Sequence, residues 1–332
     1  MLTKKKPIFT IDEDFSDLSV LSTSDNVQVR SPIIVEDDRI TIEKALKIIT
    51  RQMEISTIRP RTIKDYNYYV SRFMDSENLT YVDEIGTGDL YSWLEKMDVN
   101  NQTKLTRLKC LKAFLSRCFD NGWISTMFWK TVNVKVDKHV KEGASERELT
   151  ILMSVLNLSN FVHLRDIAAA RLMFKTGIRI STLAKLEEAH IDFSTNTLNL
   201  DGDILKNRQP IILPFDEIMN RLLSVLIKYN RAIKREYGKR NDFVFITKKG
   251  DAVSATQSNN TIQKRLNKYS KEYALKNISP HSLRRGFAKS LLDKGARITD
   301  ISLALGHSNL AVTSQYLHID KNEVADNLRK FI

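Results

Sequence analysis

The chain has 332 residues, enough for two ordinary domains, and 42% of them are hydrophobic, which excludes a disordered polymer. Its 52 Lys and Arg against 40 Asp and Glu leave a formal charge of +12, a surplus that favours a polyanion, most simply nucleic acid. There is no run of eighteen apolar residues, and the start, MLTKKKPIFTIDEDF, lacks the apolar stretch of a secretory signal, so no membrane span and a cytoplasmic location are expected.

Residues 1–40 hold five basic and eight acidic side chains with no sustained apolar period, and are expected to form a flexible or separately docked arm. From Thr41 a helical period sets in. TIEKALKIITRQM places Ile42, Leu46, Ile49 and Met53 on one face, and RPRTIKDYNYYVSRFM does the same with Ile63, Tyr66, Val70 and Phe73. TGDLYSWLEKM and QTKLTRLKCLKAFLSRCFDNGW follow; the last carries Leu105, Leu108, Leu111, Leu115 and Cys118 and stops at Asn121-Gly122, a helix end signal. Between 101 and 141 there are nine Lys or Arg and two acids. That bias fits either a solvated face or a DNA grip. Cys110 and Cys118, eight apart at apolar positions, read as buried thiols rather than as a disulfide or a zinc site. Residues 41–133 are thus expected to be a helical DNA-binding domain, and the polar stretch 134–144 a linker.

Ser145-Glu146-Arg147-Glu148 is a capping box that starts a helix and a second domain, 145–332. RDIAAARLMFKTGIRISTLAKL reads as helix with a break near Gly177. HIDFSTNTLNLDGDILKNRQPIILP alternates and carries turn residues, which predicts a small antiparallel sheet. A long amphipathic helix then covers DEIMNRLLSVLIKYNRAIKREYG, DFVFIT reads as a strand, and the remainder is helical. The fold class expected is mainly α with a small antiparallel β-sheet.

SPHSLRRGFAKSLLDKGA has Ser279 as N-cap, Pro280 at the first helical position and Gly295 as the stop. His281 and Arg284 then share one face of the first turn, where the backbone N–H groups already favour an anion. Arg179 follows the Gly177 break in TGIRISTL, and LALGHSNLAVTSQYLH puts His307 and Tyr316 nine residues apart. A lone tyrosine or histidine is most often a packed or surface side chain. Several such residues in this order need a common explanation.

The set resembles the tyrosine recombinase, or phage integrase, family, whose pattern is Arg, Lys, His-x-x-Arg, His and Tyr. Arg179, His281, Arg284, His307 and Tyr316 fill five places. The family's lysine lies on a β-hairpin eight residues before a Pro; counting back from Pro214 gives Lys206, the only lysine between Thr197 and Pro214. Two places depart from the pattern: the lysine stands in LKN where the family often has Gly-Lys-Gly, and Thr182 stands where it commonly has an acid.

The resemblance implies a two-domain architecture, a helical core-binding domain followed by a mixed α/β catalytic domain. It implies a site-specific DNA recombinase that cuts and rejoins strands through a 3′-phosphotyrosine, with no cofactor and no metal. A free tyrosine titrates near ~10 and needs cations to favour its phenolate. In the implied roles Arg179 and Arg284 grip the phosphate oxygens, His307 donates to them, His281 moves a proton near the nucleophile, Lys206 protonates the leaving 5′-oxygen and Tyr316 attacks. Implied partners are double-stranded DNA at specific sites, a homotetramer on paired sites and accessory DNA-bending factors. The C-terminal face of Val324, Leu328 and Phe331 or Ile332 packs either on a neighbouring protomer or on its own core. Two other functions stay open: a catalytically silent DNA-binding regulator, and a type IB topoisomerase.

Overall fold

The computed structural model describes residues 39–137, 141–255, 260–307, and the single positions 309, 310, 313, 317 and 329. Tyr316, the arm at 1–38 and the tail face of Val324, Leu328, Phe331 and Ile332 lie outside the described residues. The chain divides into two compact units, 1–138 and 139–332.

In the first unit four α-helices are described: α1 (Ile42–Ile55), α2 (Pro60–Glu77), α3 (Thr87–Glu95) and α4 (Asn101–Asp120). Local chemistry sets their ends. The side chains of Thr41 and Asn100 accept hydrogen bonds from the backbone N–H groups of Lys44 and Thr103, and Pro60 opens α2. Gly122, with φ of +77°, lets the chain turn away after α4. The apolar stripes meet in one core that includes Ile42, Ile49, Val70, Phe73, Leu111 and Phe114. Phe73 meets Trp93 edge to face at 5.4 Å. Each such fully buried side chain contributes roughly 1.5–3 kcal/mol. Cys118 is buried as expected, but Cys110 is only half-buried, because it lies at the edge of the α4 stripe, beside the exposed Lys109.

The second unit is built around α6 (Phe161–Thr176), which is buried along nearly its whole length. It packs against α5 (Glu146–Val155), α8 (Glu217–Glu236), α9 (Thr261–Glu272) and α10 (Pro280–Asp293). The capping box at Ser145 forms in full: its hydroxyl accepts from Glu148 N–H, and the Glu148 carboxylate accepts from Ser145 N–H. Three charges are buried in α6, and all three are paired: Arg171 with Asp216 at 2.6 Å, and Arg165 and Asp166 with each other. Asp166 accepts from Arg165 at 2.6 Å and from the Tyr269 hydroxyl at 2.9 Å, with Arg265 closing the cluster.

After α6 come the single turn α7 (Ile180–Leu183) and a three-stranded antiparallel sheet, β1 (Ile191–Asp192), β2 (Thr197–Leu200) and β3 (Ile211–Pro214), in that spatial order. Leu198 faces Leu213 across the β2–β3 pair. The last helix whose bounds are described is α11 (Ile298–Leu305).

Two expectations change. DFVFIT is not a strand: Phe243 and Ile246 make only isolated bridges, to Glu187 and Ala252. Val244, Phe245 and Ile246 are wholly buried, so their apolarity reflects packing rather than sheet pairing. The end of the expected linker is also not free. Ala144 N–H donates to Ser282 O at 2.8 Å, and Arg285 Nε donates to Glu142 O at 3.1 Å, which lays residues 142–144 along α10. Among the described residues no helix is long and apolar enough to cross a membrane.

Candidate active site

Arg284 is the centre of the site, and its place is fixed by two helix ends. It lies one turn into α10, which Ser279 caps through the backbone N–H of Ser282 and Pro280 opens, and its side chain is 3% exposed. One arm of the guanidinium donates to Gly177 O, at the C-cap of α6; the other donates to Leu305 O, the last carbonyl of α11. Both caps are glycines with positive φ, +67° at Gly177 and +59° at Gly306. That conformation ends each helix and leaves a carbonyl aimed outward, at the pole carrying about half a negative charge.

His307 follows Gly306 directly. Its Nε2 is 3.2 Å from Arg284 Nη2 and its Nδ1 is 2.9 Å from the hydroxyl of Thr313, which is fully buried. A guanidinium has no lone pair to offer, so in this contact Nε2 accepts and Nδ1 carries the proton. Burial, then the charges of Arg284 and Arg179, pushes His307 down to about 4, which makes it a neutral ring at pH 7.

Arg179 is the N-cap residue of α7 and is half-buried. With Arg284, Thr182, Asn207 and Gly306 it lines a cleft of about 150 Å³. His281 is exposed by surface area, yet atoms crowded around its ring, followed by the charges of Arg285, Arg284, Arg179 and Lys141, lower its pKa. Those neighbours place His281 beside the same cations. Lys206 is exposed on the β2–β3 loop, between Leu205 and Asn207, which both line the cleft.

The structure therefore brings Arg179, Arg284 and His307 together, puts His281 within their field and sets Lys206 on the adjoining loop. The sixth expected residue, Tyr316, is outside the described residues. Sequence reasoning missed the two carbonyls that hold Arg284 and the hydroxyl of Thr313; the only sequence signal for the former was the pair of helix-ending glycines. Among the described residues no three His, Cys, Asp or Glu side chains gather as a metal ion would need. A larger open cleft of about 520 Å³ occurs in the first unit, lined by Tyr68, Tyr69, Arg72, Trp93 and Arg107 among others, but none of the six expected site residues lines it.

Such a site suits one task well. Two guanidiniums at a small cleft, one of them held in place beside a histidine, can hold a phosphodiester by its non-bridging oxygens and stabilise added charge on phosphorus.

Comparison with known proteins agrees with this chemistry. Residues 145–323 match the model of the phage integrase family. The tyrosine recombinase XerC of Bacillus pumilus is 28% identical over 265 residues, covering 78% of this chain and 84% of that protein. Among solved structures, the integrase of transposon Tn1549 bound to transposon right-end DNA superposes with a TM-score of 0.66 at 18% identity, covering 88% of this chain and 99% of that one. A lambda integrase tetramer bound to a Holliday junction gives 0.64 at 16% identity, covering 84% and 78%. At these identities the structural likenesses show the fold, mainly helical with a small antiparallel sheet.

Proposed function

The chain belongs to the phage integrase family of tyrosine recombinases, and from that premise we propose that it is an active site-specific DNA recombinase working through a covalent 3′-phosphotyrosine. The observation that carries the reading is the Arg284–His307 pair, held beside Arg179 at a cleft of about 150 Å³.

In the proposed reaction Arg179 and Arg284 bind the non-bridging oxygens of the scissile phosphate, and His307, protonated once the phosphate is bound, donates from Nε2 to the same group. The Tyr316 hydroxyl attacks phosphorus, and its proton passes to His281. A new P–O(Tyr) bond forms as the P–O5′ bond breaks, and Lys206 supplies the proton that makes the departing oxygen a 5′-hydroxyl. Charge on the five-coordinate phosphorus is stabilised by groups already in place, the largest single source of rate in such sites. The phosphotyrosine keeps the energy of the broken phosphodiester, so a second 5′-hydroxyl can displace Tyr316 by the reverse steps without ATP. The tetrameric relative on a four-way junction supports a homotetramer pairing two DNA sites here. The C-terminal tail packing in trans and accessory DNA-bending factors belong to the same proposal.

A suicide substrate tests it. Nicked DNA carrying candidate sites loses the short 5′-hydroxyl strand after cleavage and traps the adduct. Wild type is expected to give a covalent band on a denaturing gel, and Tyr316→Phe to give none while still shifting DNA on a native gel. An adduct that persists in Tyr316→Phe would misplace the nucleophile. No adduct from wild type despite specific binding would favour a silent DNA-binding regulator.

A further inference from the structure

The β2–β3 loop is tied down on both sides of Lys206. Two residues before it, Ile204 O accepts a hydrogen bond from the Thr182 hydroxyl at 3.3 Å, and Thr182 is 1% exposed within α7. One residue after it, the Asn207 side chain lies over Gly306: a Cβ placed on that glycine would stand 2.9 Å from Asn207 Nδ2. The loop also closes on itself. A Cβ on Gly202 would meet Arg208 O at 2.5 Å, Arg208 takes a φ of +56°, and Leu205 N–H donates to Gly202 O at 3.1 Å.

Thus α7, which follows its N-cap residue Arg179, and the turn that leads into His307 each hold one flank of the segment bearing Lys206. Lys206 itself is exposed, on a long side chain with four rotatable bonds. A shift of the backbone beneath it shifts its ammonium, and small misplacements of an acting group are costly in rate.

We propose that Thr182 is a positioning residue: its buried hydroxyl anchors the β2–β3 loop to α7 and thereby holds Lys206 at the rim of the Arg179–Arg284 cleft, with Asn207 against Gly306 as the second anchor. The inference rests on the reading of Lys206 as the proton donor to the leaving oxygen. Thr182 touches no reacting atom; it acts on the reaction through the loop.

A change of leaving group separates this role from a merely structural one. In a substrate whose scissile 5′-oxygen is replaced by sulfur, the P–S bond breaks to give a thiolate, which leaves without a proton. The proton donor then becomes dispensable, and so does whatever aims it. Thr182→Val is expected to slow adduct formation on the oxygen substrate about fivefold, the effect of one neutral hydrogen bond. It is expected to match wild type on the sulfur substrate. Lys206→Ala should show the same pattern in stronger form, and Thr182→Ser, which keeps the hydroxyl, should restore the oxygen rate. Asn207→Ala, at a less buried position, provides the same test if Thr182→Val folds poorly. Normal oxygen cleavage by Thr182→Val, or an equal defect on both substrates, would overturn the proposal.

Amide hydrogen exchange of DNA-free protein separates this inference from the recombinase reading. Thr182→Val is expected to raise exchange in residues 203–209 and leave α10 unchanged. Unchanged exchange in the loop would refute the anchor even if wild type cleaves. Raised exchange in a protein whose wild type never cleaves would keep the anchor and refute the recombinase reading alone.

Discussion

Arg284 and His307 divide one job by their different chemistry. The guanidinium keeps its charge at every working pH and is fixed by the carbonyls of Gly177 and Leu305, which orient it without carrying a full negative charge. His307 is the adjustable partner: burial and the two arginines push it down to about 4, so in the free protein it is neutral at pH 7. A phosphate in the cleft offsets that positive field and, as an acceptor beside the ring, favours the imidazolium, a donor at both nitrogens. Binding therefore raises the pKa of His307 from a depressed value, and complex formation takes up a proton. Affinity must then increase as pH falls through the raised, bound-state value. Measured by fluorescence anisotropy on the Tyr316→Phe background, DNA binding is expected to tighten between pH 7 and pH 5, by at most tenfold per pH unit for one proton. His307→Asn should remove most of this dependence. His281, whose pKa is also lowered by its surroundings, supplies the remainder, and His281→Asn separates the two. A wild-type response flat across that range would contradict the arrangement of charges around His307.

Helix α10 must satisfy two demands that pull its sequence apart. Helix propensity disfavours glycine by ~1 kcal/mol, yet Gly286 sits in mid-helix. Packing explains it: a Cβ there would stand 2.2 Å from Ala144 O and 2.7 Å from the ring of Phe174. On the other side a Cβ on Gly143 would come within 2.5 Å of Gly286 N. The two glycines let residues 142–144 lie flat on the helix two residues beyond Arg284. Gly286→Ala is expected to lower stability by about 1–3 kcal/mol despite its better propensity, because overpacking outweighs the gain. Thermal unfolding checks this, and a stability equal to or above wild type would show that the segment moves aside freely. The position also shows what sequence can and cannot say about an element. Caps and stops are local, so Ser279-Pro280, the Ser145–Glu148 box and Gly177 could be read directly, and the family resemblance supplied the candidate site residues. DFVFIT could not be resolved, because a short apolar run looks alike whether it pairs in a sheet or packs as a buried connection. Nor could the clamp on Arg284, since its two carbonyls come from residues 107 and 21 positions away and depend on how α6 and α11 meet α10.

At the scale of the whole molecule, charge is distributed unevenly along the chain. Residues 1–40 carry more acid than base, five basic against eight acidic, so the rest of the chain is more basic than the formal +12 suggests. Backbone phosphate contacts release counterions, so affinity falls with salt in proportion to the number of phosphates neutralised, by about 10³–10⁵ between 50 and 200 mM for six to ten contacts. Under the proposed function such a slope is expected, and a nearly flat one would argue against extended phosphate contact. The acidic stretch refines the expectation. It carries the same sign as DNA on the same chain, so at low salt it competes for the basic surface, and its removal should tighten binding to DNA of arbitrary sequence. The effect should fade above ~0.15 M salt, where the Debye length is about 8 Å. Titrating the full chain and a 39–332 truncation against one duplex over a salt series checks both points together. Weaker binding by the truncation would instead mean that residues 1–38 contact DNA themselves, through Lys4, Lys5 and Lys6, the one basic cluster in that stretch.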